Sequence, residues 1–218
     1  MKILFILPKF NKDQGLIYET DNTKPDYNYL MPVGMPYIIA YLKQHGYNVD
    51  GLNLNHKYGK VPEIVRGVVT KTHYDIIFTG GLSSMFPVVQ DIICAIRDAS
   101  PGTSVVIGGG LVSAQPELIT KLLKPDYGIV FEGEETALNL VRWIESKDMW
   151  AGQINGITYF DANAKVCISP HREPITDLDA LPFPDVDAFE FEDYINHQFT
   201  GAWNLYSTND YPKAYSIV

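Results

Sequence analysis

The sequence predicts a doubly wound α/β domain, a five-stranded parallel sheet with helices on both faces, followed by a C-terminal β-hairpin and an extended linker. Three observations carry this. Short β-branched apolar runs alternate five times with amphipathic stripes, the order that gives parallel strands joined by right-handed crossovers. Two of those runs break into bare glycines, Gly80-Gly81 and Gly108-Gly109-Gly110. Near Trp150 the pattern changes to an alternating hairpin and then to proline mixed with acidic residues.

The first strand is expected over Lys2 to Leu7, ended by Pro8. A long polar and aromatic loop runs from Pro8 to Met31, and loops of that length in compact domains tend to be functional. Pro32-Val33-Gly34-Met35-Pro36 opens a helix whose stripe is Ile38, Ile39, Tyr41 and Leu42, with His45-Gly46 as its C-terminal cap. Asn48 to Leu54 is the second strand, and 61–72 the second helix with Pro62 in its first turn. Asp75 to Thr79 leads into the third helix, 86–99, with Val88, Val89, Ile92, Ile93 and Ile96 on one face. Pro101-Gly102 turns the chain into the fourth strand, Val105 to Ile107. A fourth helix is expected over 116–123, a fifth strand over 127–131 and a fifth helix over 134–146.

We place the α/β domain at residues 1–149. Residues 150–218 hold the hairpin, Ile154 to Phe160 and Lys165 to Ser169 across Asp161-Ala162-Asn163, then the linker. That linker carries Pro170, Pro174, Pro182 and Pro184 among many acids, with too little apolar periodicity to build a core, so it either wraps the domain or leads away from it. Ala214 to Val218 reads as the start of another strand, which suggests a piece of a longer protein.

With 46% hydrophobic and 20% charged residues the chain of 218 can bury a sizeable core. A net charge of −9 without a basic patch speaks against nucleic acid or an anionic membrane as partner. No apolar run approaches the roughly 20 residues of a membrane span, and a cytoplasmic location is expected. Cys94 and Cys167 have no metal or disulfide spacing and read as two reduced thiols.

Ligands of open α/β sheets sit outside the carboxyl ends of the strands, so the two glycine-ended strands mark the candidate site. The first turn, Pro8-Lys9-Phe10-Asn11, has no GxGxxG for a dinucleotide, and no glycine run is followed by the Lys and Ser/Thr of a phosphate loop. Thr79-Gly80 replaces the phospho-accepting aspartate of a receiver, and Pro8 to Gly15 lacks the hydroxyl-rich loop of a flavodoxin. What remains is glycine backbone with two serines beside it, suited to a long ligand tail touched mainly by main chain.

Gly81-Leu82-Ser83-Ser84-Met85 followed by Pro87 resembles the Ser-x-Leu segment of cobalamin (B12)-binding domains, and Ile107-Gly108-Gly109 resembles their Gly-Gly segment. The resemblance implies a Rossmann-like or flavodoxin-like sheet. It also implies that Ser83 bonds a buried dimethylbenzimidazole and that Gly108 and Gly109 let the nucleotide tail lie along the backbone. On this basis the cofactor-binding residues are Gly80, Gly81, Leu82, Ser83, Ser84, Gly108, Gly109, Gly110, Glu132 and Gly133. The family's Asp-x-His-x-x-Gly segment is missing, since no histidine precedes His45. His56, in Asn53-Leu54-Asn55-His56, is the residual candidate for cobalt, and the expected state is a displaced dimethylbenzimidazole with no protein imidazole in its place.

Taken in one order, Pro8, Pro32 to Pro36, Glu132-Gly133-Glu134, the hairpin and Leu178-Asp179-Ala180-Leu181-Pro182-Phe183-Pro184 are similar to the N-terminal half of cobalamin-dependent radical S-adenosylmethionine (SAM) enzymes. That likeness implies cobalamin here, with a [4Fe–4S] cluster and SAM in the radical SAM barrel of the full-length chain. No Cys-x-x-x-Cys-x-x-Cys occurs up to Val218, so catalysis is not expected of these residues alone. Glu132 and Glu134 otherwise simply favour a helix N-terminus. The alternative is a non-catalytic interaction or sensory α/β domain for a nucleotide-like ligand.

Overall fold

A computed structural model of the chain describes residues 1–10, 23–27, 29–146 and 153–197. The suspected strand at Ala214 to Val218, the middle of the long loop and the 149/150 boundary lie outside the described residues.

Five strands run parallel: β1 (Lys2–Leu7), β2 (Asn48–Asn53), β3 (Ile76–Gly80), β4 (Ser104–Gly108) and β5 (Tyr127–Ile129). The hairpin strands β6 (Ile157–Phe160) and β7 (Val166–Ile168) do not stand apart. They add antiparallel to β5, so the sheet has seven strands in the order β2-β1-β3-β4-β5-β6-β7. Because β1 lies between β2 and β3, the chain reverses its direction of travel across the sheet there, and a crevice opens at such a switch point.

Alternation within the strands decides which helix covers which face. Ile3, Phe5 and Leu7 of β1 pack in one core, while Leu4 and Ile6 belong to the other. The first core is closed by α1 (Gly34–Gln44) and α6 (Glu134–Ser146) through Ile39, Leu42, Ala137 and Leu140. The second is closed by α2 (Val61–Lys71), α3 (Phe86–Ala99), α4 (Gly110–Ala114) and α5 (Pro116–Leu123). The short α4 has no counterpart among the sequence expectations, because a five-residue turn shows no helical period. His45 caps α1 as expected, its backbone N–H donating to the Tyr41 and Leu42 carbonyls, with Gly46 at φ +87°.

The acidic, proline-spaced stretch differs most from its reading as a linker. It wraps the domain, ends in α7 (Phe191–His197), and drives Phe189 and Tyr194 into the first core with no exposed surface. Two rings sufficed where no periodicity announced them, since burying one aromatic side chain contributes roughly 1.5–3 kcal/mol. Gly51 makes room for this wrap on β2: a Cβ there would stand 2.0 Å from the Ala188 carbonyl oxygen. The two cysteines are free thiols. Among the described residues no helix is long and apolar enough to cross a membrane.

Candidate functional site

The glycine ends of β3 and β4 are neighbours in register, Gly80 opposite Gly108. Their turns are tied to one another by main chain, with Gly81 N–H donating to the Gly108 carbonyl at 3.2 Å and Leu111 N–H donating to the Gly81 carbonyl at 2.8 Å. At Gly80, φ is +152° and a Cβ would fall 2.2 Å from the Gly108 oxygen. At Gly109, φ is +80° and a Cβ would fall 2.9 Å from the Gly81 oxygen. No side chain fits between the two turns, so the floor must be bare backbone.

A cavity of about 890 Å³ opens over this floor, at the upper end of the sizes usual for small-molecule sites. Phe5, Leu7, Phe78, Ile107 and Ile129 from the strands form its base, and Phe10, Met31, Met35 and Ile38 wall it on the side of the long loop and α1. Leu30, Leu82 and Phe131 line it while remaining largely exposed. Phe131 holds φ +65°, strained for a bulky residue, with its N–H donating to Ser113 Oγ at 2.9 Å.

Of the residues singled out in the sequence, Gly80, Gly81, Leu82, Gly108, Gly109, Gly110, Glu132 and Gly133 all line this cavity. Ser83 and Ser84 do not; they sit exposed on the 3-10 turn Ser83–Met85, whose Met85 points inward and is buried. The residues that sequence reasoning missed are chiefly apolar wall residues, which carry no chemical signature, together with Arg172 and Pro174 from the wrap. Glu134, expected as a favourable helix start and part of the Glu132-Gly133-Glu134 segment, is also in the wall, and burial raises its pKa, with Glu132 adding to the shift.

His56 lies elsewhere. Its side chain is 1% exposed and outside the cavity wall, in a polar knot beyond the end of β2. Asn53 Oδ1 accepts from Asn55 N–H at 3.1 Å and from Asn55 Nδ2 at 3.0 Å, which fixes the amide and aims Nδ2 at the Tyr29 hydroxyl, 2.7 Å away. A Tyr29 hydroxyl that accepts there donates to His56 Nε2 at 3.0 Å. This arrangement suits the neutral tautomer with its proton on Nδ1, which donates to Glu190 Oε2 at 3.0 Å. Burial holds the His56 pKa below its ordinary value, overriding the pull of Glu190 and Asp193.

His56, Glu190 and Asp193 have ligand atoms within 4.8 Å of one another. Yet the Lys57 ammonium already holds Glu190 Oε1, and a cation would also have to displace Nδ1 from its contact with Glu190 Oε2. Tyr27 donates to Asp193 at 2.8 Å, and Tyr194 donates to the Tyr29 carbonyl at 2.7 Å. The knot ties the loop before α1 to the C-terminal wrap.

Residues 24–141 match the B12 binding domain. The chain belongs to this family. Solved structures agree on the fold of the B12-binding domain. OxsB, a cobalamin-dependent S-adenosylmethionine radical enzyme with aqua-cobalamin and S-adenosylmethionine bound, matches 88% of the chain with a TM-score of 0.67 at 16% identity. TsrM from Kitasatospora setae, a radical S-adenosylmethionine methyltransferase with tryptophan and a SAM analogue bound, matches 79% with a TM-score of 0.63 at 17% identity. A second TsrM structure, holding cobalamin and a [4Fe–4S] cluster, gives a TM-score of 0.62 at 17% identity, matching 78% of the chain. The chain spans 25% of the OxsB chain and 30% of the TsrM chain. No curated protein matches by sequence. The residues present fit a corrinoid with a long tail: two turns packed so closely at Gly80 and Gly109 that neither admits a side chain, open space over Gly108 and Gly110, and apolar walls.

Proposed function

We propose that this chain binds cobalamin over the glycine floor of β3 and β4, as the N-terminal module of a B12-dependent radical SAM enzyme. Residues 1–149 would form the binding unit and 150–218 the hairpin and the passage to a barrel with its [4Fe–4S] cluster and SAM. The observation that carries the reading is the coincidence of the family match with a large apolar cavity whose floor is main chain.

When bound, cobalamin supplies a cobalt centre able to carry an alkyl group or an electron. The chain's own part is to bind, orient and exclude water. The bare turns let a flat or elongated ligand approach the backbone, and Phe5, Phe78 and Ile129 remove its apolar surface from solvent. Gly108 and Gly110 have room above them, their nearest neighbours to an added Cβ being 3.8 and 3.5 Å away. His56, sealed in its knot and outside the cavity wall, would not be among the residues that hold the cofactor.

The test is retention. Purified chain mixed with hydroxocobalamin and desalted is expected to keep a corrinoid visible spectrum at about one equivalent. Loss of all colour, repeated with methylcobalamin and reduced cobalamin, would sink the reading.

A further inference from the structure

The cavity's polar groups are few, and nearly all are already committed. Among the described lining residues, side chains with hydrogen-bonding atoms are Thr79, Glu132, Glu134 and Arg172. Thr79 donates its hydroxyl hydrogen to the Ile6 carbonyl at 3.0 Å. Glu132 accepts from Ile175 N–H at 2.7 Å. Arg172 donates from Nε to Thr136 Oγ1 at 2.9 Å and from a terminal nitrogen to Glu135 Oε2 at 2.5 Å. Glu134, half-buried in the wall, alone has no side-chain partner among the described residues; only the backbone around Gly133 and Glu134 offsets the burial and the nearby Glu132 that raise its pKa.

A half-buried carboxylate held this way is under-solvated, and a ligand that brings N–H donors restores what burial removed. A ligand carboxylate or phosphate in the same corner would meet Glu134 and Glu132 with the one nearby cation, Arg172, already paired. Like charges so placed repel strongly in a partly desolvated site.

We infer that Glu134 is a specificity-determining residue of the cavity, accepting hydrogen bonds from a neutral carboxamide on the ligand's rim and rejecting an anionic group at that position. The inference rests on the cobalamin reading and deepens it, because the corrin ring is fringed with primary carboxamides, each of which hydrolysis turns into a carboxylate.

The experiment compares the affinity of hydroxocobalamin with those of its three propionate monocarboxylic acids, using the full chain and visible or fluorescence titration. Wild type is expected to bind at least one acid about tenfold or more weaker than the parent, roughly 1.4 kcal/mol of discrimination. Glu134→Gln, whose amide can donate to a carboxylate, should cut that ratio to under about threefold. Glu134→Asp, which keeps the charge, should retain it. Equal binding of all four corrinoids by wild type overturns the inference on wild-type data alone, as does a ratio that Glu134→Gln leaves unchanged. If wild type fails to bind the parent, the cobalamin reading itself has failed and this inference falls with it, whereas parent binding without discrimination removes the inference only.

Discussion

The two ends of the chain's chemistry stand in contrast at the carboxyl edge of the sheet. Beyond β2, a histidine, two carboxylates, a lysine and two tyrosines converge, yet almost every donor there has found an acceptor. Beyond β3 and β4 there is almost no functional group, only glycine backbone under an apolar cavity. The cluster that looks reactive is structural, and the place that looks empty is the candidate site. Saturation of hydrogen bonds, rather than the presence of titratable residues, separates the two.

The sharpest way to break that contrast is to fill the floor. Gly110→Phe adds a ring at a position whose backbone tolerates a side chain, the nearest atom to its Cβ being Leu82 Cδ2 at 3.5 Å. Cobalamin affinity is expected to fall at least about a hundredfold, roughly 2.7 kcal/mol, while the urea midpoint barely moves. Normal binding by this variant would mean that the ligand does not lie over the glycines.

The opposite outcome is expected from the wrap. Gly51→Leu drives a side chain into the Ala188 carbonyl, and chemical denaturation should show a loss of about 3 kcal/mol. Affinity for cobalamin, measured below the unfolding transition, should stay within about threefold. A collapse of binding at unchanged stability would show instead that the wrap belongs to the site.

His56→Ala gives a smaller effect of the same kind. Removing the ring takes the imidazole contact from the Tyr29 hydroxyl and from Glu190 Oε2, which among the described residues keep only Asn53 and, through Oε1, Lys57, at a cost of about 2 kcal/mol. The bound cobalamin spectrum should be unchanged, and a shifted cobalt band would put an imidazole back beneath the metal.

The smallest effect is in pH. Because burial lowers the folded pKa of His56, the unfolded chain takes up that proton first as pH falls through about 6.5. The ring's contribution is thus complete above that value and declines below it, toward the lowered folded pKa. The stability gap between wild type and His56→Gln is therefore expected to be wider at pH 7.5 than at pH 5.5. A gap that widens in acid would show that Glu190 and Asp193 win over burial and that His56 is charged in the fold.

Much of this was legible in the sequence, and the reasons are local. Strand and helix periods are written in neighbouring residues, so β1 to β5 and the long helices could be read directly, and Gly80-Gly81 and Gly108-Gly109-Gly110 marked their turns without help. What could not be read depends on partners far along the chain. The hairpin's attachment to β5 is a pairing across roughly 30 residues, and the partners of His56 at Glu190 and Asp193 are more than 130 residues away. Ser83 and Ser84 were marked by the resemblance to the Ser-x-Leu segment, and only the fold shows that their tight turn leaves both exposed and buries Met85. One signal was available and unused: Gly51 inside an otherwise apolar strand marks a close approach of backbone, which the wrap supplies.

A floor made of main chain is also forgiving of change. It forbids side chains at a handful of positions and asks of the surrounding walls only size and apolarity, requirements that many residues meet. Sequences can therefore drift until few letters coincide while the shape of the floor persists, and a sequence comparison keyed to reactive side chains would pass over it.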